Sequence, residues 1–113
     1  MVGDTLMKMI EIGRDFSQTP VGRFPSDGPF SGELFREKFL KPALDGNKEL
    51  TVKIDDIEGC GSSFLHEAFG GLVTKGYFTA NQLHKQLTIE GVGTIAQLYR
   101  DLIWKYIDEA RPD

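Results

Sequence analysis

The strongest constraint on the fold is the alternation of strand-like and helix-like segments along the chain. Residues 5–12 form a short apolar run, residues 49–55 alternate apolar with polar positions, and residues 86–90 are again strand-like. The spacing of apolar residues predicts helices at 32–44, 62–75, 80–86 and 95–110. Strands that alternate with helices are joined by βαβ crossovers. The sequence therefore predicts an α/β fold in which a small mixed or parallel sheet has helices packed on it.

Length and composition limit the domain organisation and the classes of function. The 113 residues are enough for one domain with its own core, which we assign to 1–113. The net charge of -4 argues against a nucleic-acid partner, because nucleic-acid-binding proteins carry a basic excess. The single cysteine excludes an intrachain disulfide and fits a reducing compartment. No apolar run approaches about 20 residues, the length of a membrane helix, so we expect a cytoplasmic protein without a membrane partner.

A long segment rich in proline and glycine, 13–31, separates the first predicted strand from the first long helix. It contains three of the five prolines, which indicates a loop or an irregular hairpin. Its four large apolar side chains, Phe16, Val21, Phe24 and Phe30, are many for a free loop. We therefore expect the loop to be pinned onto the body of the domain, and a loop of this length in a small domain is often a binding element.

The helix at 32–44 has recognisable start and stop signals. Ser31 is a favoured N-cap, because its hydroxyl can accept a hydrogen bond from a free amide of the first turn. Pro42 predicts that the helix ends or bends near that residue, since proline lacks the amide that continues a helix.

Arg36 lies within the apolar arc of this helix and therefore needs a partner. One interpretation is an ion pair with Asp55 or Asp56, at the end of the second predicted strand. The other is that Arg36 binds an anion, with Arg23 of the loop as a further anion-binding residue.

The turn that follows the second predicted strand is the segment in which we expect function. The strand delivers Asp56 to its carboxyl end, which is where parallel sheets bind ligands. Gly59 and Gly61 let the backbone approach another group closely. Ser62 and Ser63 then begin a helix, whose free amides and partial positive charge suit an anion or a phosphate carried by serine. The alternative is structural: the serines cap the helix, and the glycines only turn the chain.

The motifs of common enzyme classes do not occur around this turn. No Gly-Lys-Ser/Thr follows the glycines, as a phosphate-binding loop requires, and Gly-x-Ser-x-Gly does not fit around Ser62 or Ser63. Cys60 has no base that the sequence assigns to it. His66 and His84 are far apart in the chain and are expected to be structural. We therefore expect a protein that is not an enzyme and has no cofactor and no metal site.

Paired glycines interrupt the helix predicted at 62–75. Gly70 and Gly71 each cost about 1 kcal/mol relative to alanine inside a helix. Such a cost is usually accepted where a backbone packs closely against a neighbour. We therefore expect at least one of the two glycines to face another element at short distance.

The last predicted helix, 95–110, carries the single tryptophan. With Ile95 at zero and about 100° per residue, the apolar arc is centred near about 30° and Trp104 falls at about 180°. Trp104 is therefore predicted to point away from the core. An exposed tryptophan favours contact with a partner or with a second copy of the chain. The alternative is that Trp104 lies flat over Arg100 or packs against a terminal segment.

Three motifs carry a resemblance to a known family. They are Phe-Ser-x-Thr-Pro-x-Gly-Arg at 16–23, Ser-Gly-Glu-x-Phe-Arg at 31–36 and Gly-Ser-Ser-Phe-Leu at 61–65. Together they resemble the STAS-like domain family of unknown function, which is similar to the STAS domains of anti-sigma factor antagonists. The resemblance covers about residues 10–108.

The resemblance implies a small α/β fold and a regulatory role. Anti-sigma factor antagonists bind a serine kinase of the histidine-kinase-type ATPase fold. That kinase phosphorylates a serine at the start of a helix, and the phosphate blocks binding. Ser62 corresponds to that serine, whereas Gly61 stands where the antagonists have an aspartate.

Two functions from different classes follow from these observations. The first is a regulatory protein-interaction module that contacts its partner through the turn from Gly59 to Phe64, with phosphorylation of one of the two serines as the switch. The alternative is a small-anion or nucleotide-binding domain that uses Arg23, Arg36 and the start of the helix.

Overall fold

The computed structural model describes residues 7–113, and its elements follow the predicted alternation of strands and helices. In chain order they are β1 (Met7–Glu11), α1 (Ile12–Asp15), α2 (32–44), β2 (Glu49–Lys53), α3 (62–74), α4 (Ala80–Gln86), β3 (Leu87–Glu90) and α5 (Thr94–Glu109). The loop between α1 and α2 contains a 3₁₀ turn, Pro25–Asp27. Residues 5 and 6 of the first predicted strand lie outside the described residues.

The three strands form one parallel sheet in the order β1-β2-β3. The register aligns Ile10, Val52 and Ile89, and all three side chains are buried. On the opposite face, Met9 and Thr88 are exposed. Right-handed crossovers that step in one direction along a sheet place every connecting helix on the same side. The predicted α/β class is confirmed: helices pack on one face of a parallel sheet, and on the other face Met9 and Thr88 are open to solvent on either side of the buried Thr51.

The start and the end of α2 are as predicted, but the helix is irregular between them. The hydroxyl of Ser31 accepts a hydrogen bond from the amide of Leu34 at 3.2 Å, as an N-cap does. The turn Arg36–Leu40 is π-helical, and the helix then continues through Pro42 to Leu44. Pro42 does not end the helix, because it lies in the first turn of the segment that follows the π turn, where a missing amide is tolerated.

The loop between α1 and α2 lies against the starts of two helices. The ring centroid of Phe16 is 5.0 Å from that of Phe35 on α2 and 6.1 Å from that of Phe64 on α3. The carbonyl oxygen of Gly22 accepts from the amide of Gly32 at 2.9 Å. The loop therefore supplies both apolar packing and an acceptor for one of the amides that a helix start leaves free.

Both glycines of α3 face a neighbouring helix. A Cβ atom on Gly70 would lie 3.4 Å from the carbonyl oxygen of Tyr106 on α5. A Cβ atom on Gly71 would overlap the guanidinium of Arg36 on α2. The expected close approach is present at both positions, and it is tighter at Gly71.

Alanine at the two glycines is expected to affect stability differently. Each substitution gains about 1 kcal/mol of helix propensity. At Gly70 the added methyl group only meets its neighbours at contact distance, so Gly70→Ala should be more stable than the wild type by up to about 1 kcal/mol. At Gly71 it displaces a buried guanidinium, so Gly71→Ala should be about 2 kcal/mol less stable than Gly70→Ala. Urea unfolding followed by circular dichroism measures both, and equal stability would contradict the close packing of Gly71.

Candidate functional site

The candidate site is the glycine-rich turn, residues 55–63, which joins β2 to α3 at the carboxyl end of the sheet. The carboxylate of Asp56 accepts hydrogen bonds from the amides of Gly13 at 3.1 Å and Arg14 at 3.0 Å. These bonds tie the turn to α1. Asp56 therefore holds the turn in place, and its carboxylate is engaged inside the domain.

The start of α3 lies one residue before the position expected for a serine cap. Gly61 occupies the N-cap position in an extended conformation, and no side chain caps the helix. Ser62 and Ser63 are the first two helical residues, the former exposed and the latter half-buried. The prediction that one of these serines is the N-cap is wrong, because the last extended residue of the turn is Gly61. Phe64 follows them into the core and is fully buried.

The loop between α1 and α2 forms one wall of the site. The carbonyl oxygen of Gln18 accepts from the amides of Glu58 at 2.8 Å and Gly59 at 3.2 Å. Val21 lies next to Gly61, where a Cβ atom would be 3.8 Å from its Cγ2. The loop thus places an apolar side chain directly beside the residue that precedes the two serines.

Arg36 is buried between α2 and α3, with 1% of its surface exposed. Its Nε donates to Glu37 at 2.9 Å, and its Nη1 donates to the carboxylate of Glu67 at 2.9 Å and to the carbonyl oxygen of Glu67 at 2.6 Å. Burial opposes the charge, but the hydrogen bonds with both carboxylates outweigh it and raise the pKa of Arg36. The interpretation that Arg36 pairs with Asp55 or Asp56 is wrong, because Glu67 faces it across the helix interface.

Arg23, the other predicted anion-binding residue, also reaches Glu67. Its Nη1 lies 2.8 Å from Nδ1 of His66 and 3.7 Å from Oε1 of Glu67. Because a guanidinium only donates, Nδ1 of His66 is the acceptor of this hydrogen bond. The structure therefore brings Arg23 and Arg36 to one carboxylate, where each already has protein partners.

Glu67 and Tyr77, which are not among the predicted site residues, also belong to this network. The hydroxyl of Tyr77 donates to the carboxylate of Glu37 at 3.0 Å. Burial opposes the ionisation of Glu37, but the hydrogen bonds from Arg36 and Tyr77 outweigh it and lower the pKa of Glu37. A usable signal existed for Glu67, because it lies on the helix predicted to follow the turn and a buried arginine requires a carboxylate on a facing element.

Residues 31–94 match the profile of a known family, described as the STAS-like domain of unknown function (DUF4325). The match spans more than half of the 113 residues. The chain belongs to this family. The matched part of the STAS-like domain runs from the Ser31 N-cap to the first residue of α5 and includes the glycine-rich turn. Comparisons with curated proteins and with solved structures each returned no match.

Two further findings concern residues 7–113 of the STAS-like domain. No helix in this part of the chain has both the length and the apolar character needed to cross a membrane. Within the same residues, no group of three or more histidine, cysteine, aspartate or glutamate side chains is arranged to hold a metal ion.

Trp104 of the STAS-like domain is half-buried and stacked on a histidine, contrary to the prediction that it points away from the core. Its ring lies 4.4 Å from that of His84, with the two planes inclined by 19°. Nε2 of His84 in turn forms a hydrogen bond with a carboxylate oxygen of Asp108 at 2.7 Å. The prediction failed because the buried stripe of α5 runs through Ile103, about 80° from Ile95 on the helical wheel. Trp104 borders this stripe.

Removal of the histidine that covers Trp104 should expose the indole. We expect His84→Ala to increase acrylamide quenching of Trp104 and to shift its emission to longer wavelength, because water replaces the imidazole. The matched control is His66→Ala, since His66 contacts Tyr106 and not the indole. Identical quenching of the wild type and His84→Ala would contradict the stacked arrangement.

Cys60 lies in the glycine-rich turn, and its thiol is shielded from solvent. The thiol donates to the carbonyl oxygen of Gly61 at 3.6 Å. Burial raises the pKa of Cys60 to about 12. The thiol is therefore protonated at neutral pH, and a protonated thiol is a poor nucleophile.

Alkylation of Cys60 should depend on unfolding. At about pH 8, iodoacetamide is expected to modify the folded protein at least about tenfold more slowly than the urea-unfolded chain, whose thiol returns to an ordinary pKa. The difference should shrink as the pH rises toward the folded value of about 12, because the folded thiol then ionises. Mass spectrometry of timed samples gives both rates. Equal rates at about pH 8 would contradict the shielding of the thiol.

Proposed function

We propose that this STAS-like domain is a regulatory protein-interaction module that resembles an anti-sigma factor antagonist. Its partner is a serine kinase of the histidine-kinase-type ATPase fold. Phosphorylation of Ser62, or of the neighbouring Ser63, switches the interaction off. In this proposal the domain is a binding protein and a kinase substrate, and it is not itself an enzyme.

The uncapped start of α3 is the observation that carries the proposal. Because Gly61 has no side chain, no hydroxyl or carboxylate occupies the first amides of the helix. The hydroxyl of Ser62 is exposed and is not used as a cap. A kinase can reach this hydroxyl, and a phosphate on it would meet the positive end of the helix dipole.

The glycine at position 61 also fits the proposal, although the antagonists have an aspartate there. An aspartate at the N-cap would itself accept hydrogen bonds from the first amides. With Gly61 those amides remain available to a phosphate on the next residue. Glycine in place of aspartate therefore changes which group accepts from the first amides of the helix. It does not affect the hydroxyl of Ser62, which would accept the phosphate.

A phosphate on Ser62 would weaken binding because its charge would have to be dehydrated in the contact. It adds close to two negative charges, and the turn already carries the exposed carboxylates of Asp55 and Glu58. Gly61, the residue before this serine, stands beside Val21, so the phosphate would have to be dehydrated next to apolar surface. The cost of this dehydration favours the complex with the unmodified domain.

A small-anion or nucleotide-binding function has less support. Arg36 is buried, and its guanidinium is engaged by Glu37 and Glu67. Arg23 is held by His66. An anion would have to break these contacts before either arginine could bind it.

A negative charge at position 62 is expected to weaken the complex with the kinase. The ATPase captured by the Ser62→Ala domain in its natural cells is identified, purified and titrated against each variant by calorimetry. Ser62→Asp should raise Kd at least about tenfold, because the charge sits inside the contact surface. Ser62→Ala should bind like the wild type.

The matched control is Asn81→Asp, which adds the same charge at an exposed position on α4. It should leave Kd unchanged. Equal affinities for Ser62→Asp and Asn81→Asp would refute the switch. Intact-mass measurement after incubation with the kinase and ATP gives a second readout. The wild type should gain the mass of one phosphate, and Ser62→Ala should not.

A further inference from the structure

Large apolar side chains are exposed on both sides of the glycine-rich turn. Three lie on the loop between α1 and α2 and three at the start of α5, namely Val21, Phe24, Phe30, Val92, Ile95 and Leu98. Val92 is 86% exposed, Ile95 60% and Leu98 52%. Isolated exposed apolar residues are ordinary on a protein surface, whereas a group of them in one region marks an interaction site.

The apolar stripe of α5 consists of Val92, just before the helix, and of Ile95 and Leu98 in its first turns. It follows the end of β3, the strand beside β2. Ile95 and Leu98 are three residues apart and are therefore neighbours on the helix surface. Gly91, just before the stripe, packs so closely on the end of β2 that a Cβ atom there would lie 2.9 Å from Ile54. The first turn of α3 packs against α5 as well. The start of α3, which carries the two serines, thus lies between α5 and the loop.

Exposed carboxylates surround this region. Asp55, Glu58 and Glu90 are exposed, and within residues 7–113 none of them takes part in an ion pair. Arg14, on the neighbouring α1, is already paired with two other carboxylates. Arg100 of α5 also lies at this region, where its Nη1 donates to the carbonyl oxygen of Gly91 at 3.3 Å. With the three carboxylates around it, the rim carries a net negative charge that is available to a partner.

We propose that the apolar stripe of α5 and the glycine-rich turn form one docking surface for a protein partner whose contact surface has an apolar centre and a basic rim. This inference rests on the proposed interaction function and specifies the chemistry of the partner. The basic rim complements Asp55, Glu58 and Glu90, which favours fast association and correct orientation. Ser62 lies inside the rim, so a phosphate on it would lie at the apolar centre of the contact. The free energy needed to dehydrate the phosphate there is larger than the free energy gained from ion pairs at the exposed rim.

A second copy of the chain fits this surface less well than a basic partner. In a two-fold contact centred on the apolar stripe, the carboxylates of the rim would face their own copies. Like charges across an interface oppose binding, and the net charge of -4 adds to the repulsion.

The test is a nuclear magnetic resonance titration of the labelled domain with two model peptides. Both are amphipathic helices of about 14 residues with a leucine face, one with lysine and one with glutamate on the polar face. The lysine peptide should shift the amides of residues 59–63 and 92–98, and it should bind at least about tenfold more tightly than the glutamate peptide. Leu98→Gln should weaken binding of the lysine peptide at least about fivefold.

Met9→Gln is the matched control, because Met9 is exposed to the same 52% as Leu98 but lies on the open face of the sheet. It should leave the affinity unchanged. The inference is overturned by equal binding of the two peptides, by amide shifts confined to other surfaces, or by a dimer of the peptide-free domain that Leu98→Gln dissociates. These outcomes are separate from the kinase experiment at Ser62, so that the chemistry of the surface and the phosphorylation switch can fail independently.

Discussion

The guanidinium of Arg36 determines how the two central helices can pack. Among residues 7–113 it is the only charged side chain that is fully buried, and burial of a charge is unfavourable unless every part of it is paired. Glu37 and Glu67 supply that pairing from both sides of the interface, and Gly71 leaves the space that the guanidinium fills. Since Glu67 also reaches Arg23, the same carboxylate connects the helix layer to the loop beside the glycine-rich turn.

The fold could be predicted from local patterns because its elements are locally determined. The alternating strand at 49–55, the cap at Ser31 and the periodicity of the last helix each depend on residues within a few positions of one another. The orientation of the last helix is a different kind of property. Its apolar arc is wider than the surface that it buries, and only the positions of α3 and the sheet decide that Ile103 faces inward while Ile95 stays exposed.

The candidate site could be located from the sequence, but its contacts could not. Glycines and serines after a strand mark the turn, yet the path of the chain decides that Gly61 and not Ser62 is the N-cap. For Arg36, several carboxylates were chemically equivalent partners. The choice of Glu67 depends on which face of α3 meets α2, and that contact joins residues 31 positions apart.

The order of the strands has a mechanical consequence for the glycine-rich turn. β2 is the central strand and is hydrogen-bonded along both edges, so it is the stiffest part of the sheet. The turn that carries Ser62 follows this strand directly, and the carboxylate of Asp56 bonds it to α1. The backbone that leads to Ser62 is thus held by hydrogen bonds to α1 and to the loop between α1 and α2. A group added at Ser62 would change the surface that a partner contacts without changing the conformation of the domain. The switch would therefore need no second conformation.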